Sequence, residues 1–177
     1  ENTLFSLFKK DIVLNGTSRT DAGVHALGQI ANFHTHSVMT AEEMLTYMNQ
    51  YLPEDIAVTE IDEVAERFHS RLNATGKKYC YRVWNSSIPN VFWRRYAHTV
   101  EENLDVDAMK QAATYFLGEH DFKAFTSTKK GKKSTVRRID AIDIESEGGL
   151  ITFTFQGNGF LYHMIRILVG TLLEVGR

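Results

Sequence analysis

Residues 161–175 constrain the fold more than any other part of this chain. They are apolar on nearly every side: Leu161, Met164, Ile165, Ile167, Leu168, Val169, Leu172 and Leu173. A helix of that kind is expected to be buried all round. The stretch is too short to cross a bilayer, which takes about 20 residues, so other elements must cover it. Arg166 stands in its middle. Once buried, a guanidinium needs a carboxylate, because an isolated buried charge costs several kcal/mol. Gly170, one turn on along the same face, lets another backbone approach. Asp21 is one candidate partner for Arg166; an ion pair with some other carboxylate is the alternative.

The covering elements follow from periodicity. Residues 2–8 read as the end of a helix, 12–14 as a short strand ending at Asn15-Gly16, and 27–35 as a second strand with Ala31 and Phe33 on one face. Thr40 and Glu43 form a capping box for a helix with the stripe Met44, Leu45, Met48, Tyr51 and Leu52, ended by Pro53. Residues 56–61 suggest a strand, and 68–76 a crossing between two halves. Alternation predicts a strand at 77–84, with Tyr79, Tyr81 and Val83 on one face and Cys80, Arg82 and Trp84 on the other. Asp105 can cap a helix whose inner face is Met109, Ala112, Ala113 and Phe116, stopped by Gly118. Strands at 136–144 and 150–155 join at Gly148-Gly149, a hairpin signal. The mixed order implies an α+β fold, a mainly antiparallel sheet with helices on one face. Two ferredoxin-like halves, 1–72 and 73–177, fit this order.

The formal net charge of −2 would argue against a polyanionic partner, but distribution matters more than the sum. Lys129, Lys130, Lys132, Lys133, Arg137 and Arg138 fall within ten residues, and Arg94 and Arg95 are adjacent. Acidic residues gather elsewhere. A solvated loop explains such a run as well as a phosphate-binding surface does. Cys80 is the single cysteine and can form no disulfide within the chain, which suggests a reducing, cytoplasmic setting. No signal-peptide pattern is seen, and no membrane partner is expected.

The loop at 16–25 is the most informative segment for chemistry. Gly16 and Gly23 permit sharp turns on either side of Asp21, and a carboxylate on a tight loop between strands is rigidly presented. Asp-Ala-Gly is also ordinary turn chemistry. Tyr79 follows Lys77-Lys78, and aromatics beside cations hold unstacked RNA bases; a core strand role is the plain alternative. His34 and His36 share a strand face, but no further ligand with familiar zinc spacing accompanies them, so no metal is expected. His25 and His163 suit packing or hydrogen bonding. Gly157-Asn158-Gly159 is too short for a phosphate-binding glycine motif.

Taken together, the segments from Gly16 through Arg19, Thr20, Asp21, Ala22, Gly23 and Val24 to Ala26, then Lys78-Tyr79-Cys80-Tyr81, then 120–125 and 159–170, occur in an order that resembles the TruA family of tRNA pseudouridine synthases. The resemblance implies that Asp21 is the essential carboxylate and that Arg166 pairs with it. Tyr79 would stack on the target uracil, and Arg19 would fill the space left by a flipped base or hold the RNA backbone. Lys78, Arg94, Arg95, Lys129, Lys130 and Arg137 would contact RNA. It further implies tRNA as partner, uridines at positions 38 to 40 of the anticodon stem-loop as targets, a homodimer, no cofactor, and family chains that extend beyond this one at both ends. One departure is Ser18, where the family has Gly before Arg-Thr-Asp.

Pseudouridine formation requires an ionised carboxylate, a hold on the base and exclusion of water. Asp21 is suited to covalent attack or to proton abstraction, and the sequence leaves both open. If the basic residues meet phosphates, log affinity falls linearly with log salt. Two other readings compete: a non-catalytic RNA-binding module using Tyr79, Tyr81 and the basic loop, and a metal-dependent hydrolase using His34, His36 and Asp21.

Overall fold

A computed structural model of the chain describes residues 1–128 and 134–177 and divides into two units, Glu1–Ala74 and Thr75–Arg177. In the first, helix α1 (Asn2–Phe8) ends at Lys9, whose left-handed backbone closes the last turn on the Phe5 carbonyl. Strand β1 (Asn15–Gly16) pairs antiparallel with β2 (Ala31–Asn32). Helix α2 (Ala41–Tyr51) starts at the expected capping box: Thr40 Oγ1 accepts from the Glu43 N–H at 3.2 Å, and a Glu43 carboxylate oxygen accepts from the Thr40 N–H at 2.8 Å. Leu4 of α1 and Met44 of α2 are buried where these helices pack.

The strands expected at 12–14, 27–35 and 56–61 are corrected. Only the two-residue ladder forms; of the first stretch Ile12 is buried, while Val13 and Leu14 are exposed. On β2 the buried residue is Asn32, not Ala31. Asn32 can be buried because its amide is bonded at both ends, accepting from Ser70 N and donating to the Phe68 carbonyl. Residues 56–61 form no strand. Instead the Asn49 side chain meets both the N–H and the C=O of Val58 at 2.8 Å, doing for that backbone what a neighbouring strand would do.

The second unit holds a five-stranded sheet in the order β4-β3-β7-β6-β5. Its strands are β3 (Lys77–Asn85), β4 (His98–Val100), β5 (Gly118–Asp121), β6 (Val136–Glu147) and β7 (Leu150–Gly157); β3 and β4 run parallel and the other neighbours antiparallel. The two edge strands, β4 and β5, were not anticipated: they are short, and β5 is exposed at every position. Gly148 and Gly149, at φ 55° and 87°, form the turn between β6 and β7, the two-residue geometry in which both central residues need positive φ.

Helix α3 (Val106–Ala113) is capped by Asp105, whose carboxylate accepts from Ala108 N at 2.9 Å. Helix α4 (Met164–Gly176) and α3 cover one sheet face. Val83, Ile139, Ile144, Ile151, Phe153 and Phe155 from the sheet meet Met109, Ala113, Met164, Leu168, Val169, Leu172 and Leu173 in one core. The chain is therefore α+β, and in this unit the helices lie on one sheet face.

The expectation that α4 is buried all round is corrected. Met164, Leu168, Val169, Leu172, Leu173 and Gly176 are buried, whereas Arg166, Gly170, Thr171, Glu174 and Val175 are exposed. One sheet layer needs only one apolar stripe. A Cβ at Gly170 would meet nothing within 4 Å, so the close backbone approach expected there is not seen. Among the described residues no helix is long and apolar enough to cross a membrane.

Candidate active site

Asp21 lies on the loop that leaves β1 at Thr17 and returns to β2 at Ile30. At the base of the loop, Ile30 O accepts from both the N–H and the hydroxyl of Thr17, at 2.9 and 2.8 Å. One step further, the Gln29 amide donates to the Ser18 carbonyl at 2.7 Å. At the tip, Val24 N donates to the Asp21 carbonyl at 3.0 Å, with Gly23 at φ 78°. A four-residue turn with positive φ at its third position favours glycine there, so the sequence Asp-Ala-Gly-Val is matched to the turn it makes. Asp21 is half-buried, and Arg19 and His25 are exposed. The turn reading and the catalytic reading of Asp21 are thus compatible: the backbone makes the turn, and the carboxylate is carried on it.

Segment 68–73 braces the base of this loop, a role that sequence reasoning missed. Ser70 Oγ donates to the Asn15 carbonyl at 2.6 Å, and Arg71 reaches the Gly16 carbonyl through Nε and Nη2, both at 3.3 Å. Among the described residues, Ser70 and Asn32 are the two buried polar side chains. The available signal was a polar Asn32 flanked by apolar Ile30, Ala31 and Phe33.

In the second unit Tyr79 sits near the start of β3, half-buried, with its ring edge-on to Phe160 (centroids 5.3 Å apart, planes at 82°). Phe160 packs against the helical core and belongs to the segment that leads from β7 into α4. Tyr79 is thereby held beside the entry to α4, the helix that carries Arg166 in its first turn. Phe160 is a second contributor that sequence reasoning did not single out.

That entry is unusual in its backbone. His163, the residue before α4, has φ 61°, a conformation that non-glycine residues seldom adopt and that costs on the order of 1–3 kcal/mol. The surroundings hold it: the His163 ring stacks on Tyr162 with centroids 3.7 Å apart, and its Nδ1 lies 3.1 Å from Ser127 Oγ. The Tyr162 carbonyl accepts from the Thr126 hydroxyl at 3.0 Å and from Ser127 N at 3.3 Å. His163 thus has the hydrogen-bonding role expected of it. The stretch at 120–125 turns the chain rather than presenting reactive groups. His120 Nε2 lies 2.7 Å from the Leu117 carbonyl, the Asp121 carboxylate accepts from Lys123 N and the Thr135 hydroxyl, and Phe122 is buried.

The basic residues differ in availability. Lys78, Arg94 and Arg95 are exposed. Arg137 is half-buried, its Nη1 donating to the carbonyls of Ser134 (3.1 Å) and Val136 (2.6 Å). Arg138 pairs with Asp140 at 2.6 Å, and that hydrogen bond raises the guanidinium pKa above its ordinary value. Lys129, Lys130, Lys132 and Lys133 lie outside the described residues. His34 and His36 are exposed, and among the described residues no three His, Cys, Asp or Glu side chains gather as a metal site requires.

Comparison with known proteins bears on both units. A family model described as tRNA pseudouridine synthase matches residues 112–177, from α3 through α4. A tRNA pseudouridine synthase A 2 of Bacillus cereus is 44% identical over 176 residues, covering 99% of this chain and 72% of that protein. A tRNA pseudouridine synthase A 2 of Clostridium perfringens is 45% identical over 177 residues, covering 100% and 72%. A tRNA pseudouridine synthase A of a Bacillus species is 46% identical over 176 residues, covering 99% and 72%. Asp21 lies outside the family-model match and within the span aligned to these relatives.

Proposed function

From the premise that the chain belongs to the tRNA pseudouridine synthase A family, we propose that it isomerises uridine to pseudouridine in the anticodon stem-loop of tRNA, with Asp21 as the catalytic carboxylate. The observation that carries this reading is the Asp21 turn, a half-buried carboxylate on a tight turn closed from Asp21 O to Val24 N. A group so held loses little freedom on meeting its substrate, which is where much of the catalytic advantage of positioning arises.

In the reaction the N1–C1′ bond breaks, the uracil turns, and C5 bonds to C1′. N1 gains a proton and C5 loses one, so the product is an isomer and no electrons are exchanged. Asp21 would act on the sugar or base covalently or remove a ribose proton. Arg166 would keep it ionised, as an opposite charge does when near a carboxylate. Tyr79, steadied by Phe160, would stack on the uracil once it has left the helical stack, a step that costs a few kcal/mol. Exposed Lys78, Arg94 and Arg95, together with Arg137, are suited to the phosphate contacts that offset this cost, and Arg19 would fill the space left by the flipped base or hold the RNA backbone. The reading includes a homodimer and a cytoplasmic location, in keeping with the exposed lone thiol of Cys80.

The test is tritium release from tRNA carrying 5-tritiated uridine, comparing the parent with Asp21→Ala and Asp21→Asn at matched RNA occupancy. Release from the parent and a loss of at least about 10²-fold in both variants is expected, since a positioned acid–base group contributes that much or more. Binding without release from any form would favour a non-catalytic RNA-binding module. Equal release from all three would remove Asp21 from the chemistry.

A further inference from the structure

The β1–β2 ladder beneath the Asp21 loop is only two residues long on each side. A hairpin that short has no stability of its own, and a slip of one residue would turn the side chains of the slipped strand to the other face. Something else must set its register. Ser70 touches both strands at once: its N–H donates to the Asn32 side chain on β2 at 2.9 Å, and its hydroxyl donates to the Asn15 carbonyl on β1 at 2.6 Å. Asn15 and Asn32 are themselves the paired residues of the ladder. Asn32 then returns a bond to the Phe68 carbonyl at 3.3 Å, and Arg71 holds the next carbonyl along β1, that of Gly16.

The brace is itself rigid. His69 N donates to Asn73 Oδ1 at 2.7 Å, Asn73 N donates to the His69 carbonyl at 2.9 Å, and His69 Nδ1 accepts from Arg71 N at 3.2 Å. Ser70 is 3% exposed and Asn32 9%, so water cannot replace these bonds without opening the unit. A buried and fully bonded polar network specifies one arrangement more sharply than apolar packing does.

We propose that Asn32, Ser70 and Arg71 are positioning residues for the reaction: they clasp the base of the loop and so set where the Asp21 carboxylate is held. This rests on Asp21 being the catalytic group. None of the three needs to touch RNA, and their effect is expected in the chemical step rather than in binding.

The experiment uses the full-length protein and the variants Ser70→Ala, Arg71→Ala, Arg71→Lys and Asp21→Ala. Single-turnover tritium release at saturating tRNA, the tRNA Kd and amide hydrogen exchange are measured for each. Ser70→Ala and Arg71→Ala should release tritium about 10- to 100-fold more slowly than the parent, the loss that a displacement near 1 Å produces, with Kd unchanged. The Thr17 amide, bonded to Ile30 O at the foot of the loop, should exchange faster, while amides of β7 keep the parent rate. Arg71→Lys, which retains a donor for the Gly16 carbonyl, should recover most of the rate. Should Ser70→Ala fail to fold, Arg71 is exposed and its two variants decide the matter. Parent-like release from Arg71→Ala and Ser70→Ala, with Asp21→Ala inactive, would overturn the clasp and leave the catalytic reading intact. A weakened Kd with parent-like release at saturating tRNA would make Arg71 an RNA contact and overturn it too. Undiminished release from Asp21→Ala would instead overturn the catalytic reading on which the clasp depends.

Discussion

Gly157 ends β7 in the interior, and its Cβ position is occupied. An added methyl would lie 2.3 Å from the carbonyl oxygen of Arg138 and 3.3 Å from the Ile139 Cα. Real Cβ atoms do not come closer than 3.0 Å, and the obstacle is backbone, which cannot swing aside. Its φ lies outside the left-handed region, so the objection to alanine is contact alone. The β6–β7 ladder would have to open by roughly 0.7 Å, where overpacking typically costs about 1–3 kcal/mol. Two bonds span the same gap: Asn158 N to the Arg138 carbonyl at 3.1 Å, and Arg138 N to the Asn158 side chain at 3.0 Å. Each is worth about 1 kcal/mol net. Gly157→Ala should therefore destabilise by about 3 kcal/mol, or roughly 6–12 °C in melting temperature for a chain of this size. Gly176→Ala is the control. Its Cβ would lie 2.9 and 3.0 Å from Cγ and Sδ of Met109, part of a buried but flexible side chain that can change rotamer where backbone cannot, so the cost should stay near the low end of overpacking, about 1 kcal/mol. Calorimetry of the two variants checks the argument. Equal melting shifts would refute the distinction between backbone and side-chain obstacles, and a Gly157→Ala within about 0.5 kcal/mol of the parent would show that the ladder yields freely.

Two further outcomes follow from α4 and α2. Gly170→Ala, in a helix interior with open space at its Cβ, should stabilise by about 0.5–1 kcal/mol; destabilisation, read by denaturant midpoint, would mean that another backbone does approach there. Glu43 is held below the ordinary carboxylate range by its hydrogen bonds from the Thr40 N–H and hydroxyl. A depressed carboxylate contributes stability that is present above the unfolded value and lost as pH falls through the folded one. Glu43→Gln should therefore flatten the acid limb of the helix's stability below about pH 4.5, followed by amide exchange of α2; an unchanged acid limb would remove the capping box from that role.

Much of the second unit was legible because its signals are local. The alternation of Tyr79, Tyr81 and Val83, the cap at Asp105 and the Gly148-Gly149 turn each act within a few residues of where they are written. The capping box at Thr40 in the first unit is of the same kind. The burial of Arg166 was misjudged for a different reason. The stretch around it is apolar enough for burial on all sides, yet a single sheet layer accepts one stripe, and Ile165 and Ile167 stay half-exposed beside it. Composition there set the helix and not its facing. The Asp21 loop shows the converse. Its motif stands out in the sequence, and its turn was legible from Gly23, but the bonds that hold its base come from residues 38 and 55 positions away. A polar contact between such distant positions leaves no period and no composition bias to read. A strand of two residues likewise carries no alternation of its own, which is why 27–35 read as a long strand while only Ala31–Asn32 pairs. The geometry of the carboxylate is thus imposed from outside its own segment, so substitutions at Ser70 or Arg71, which lie far along the chain from the loop, are expected to reach Asp21 through Asn15 and Gly16.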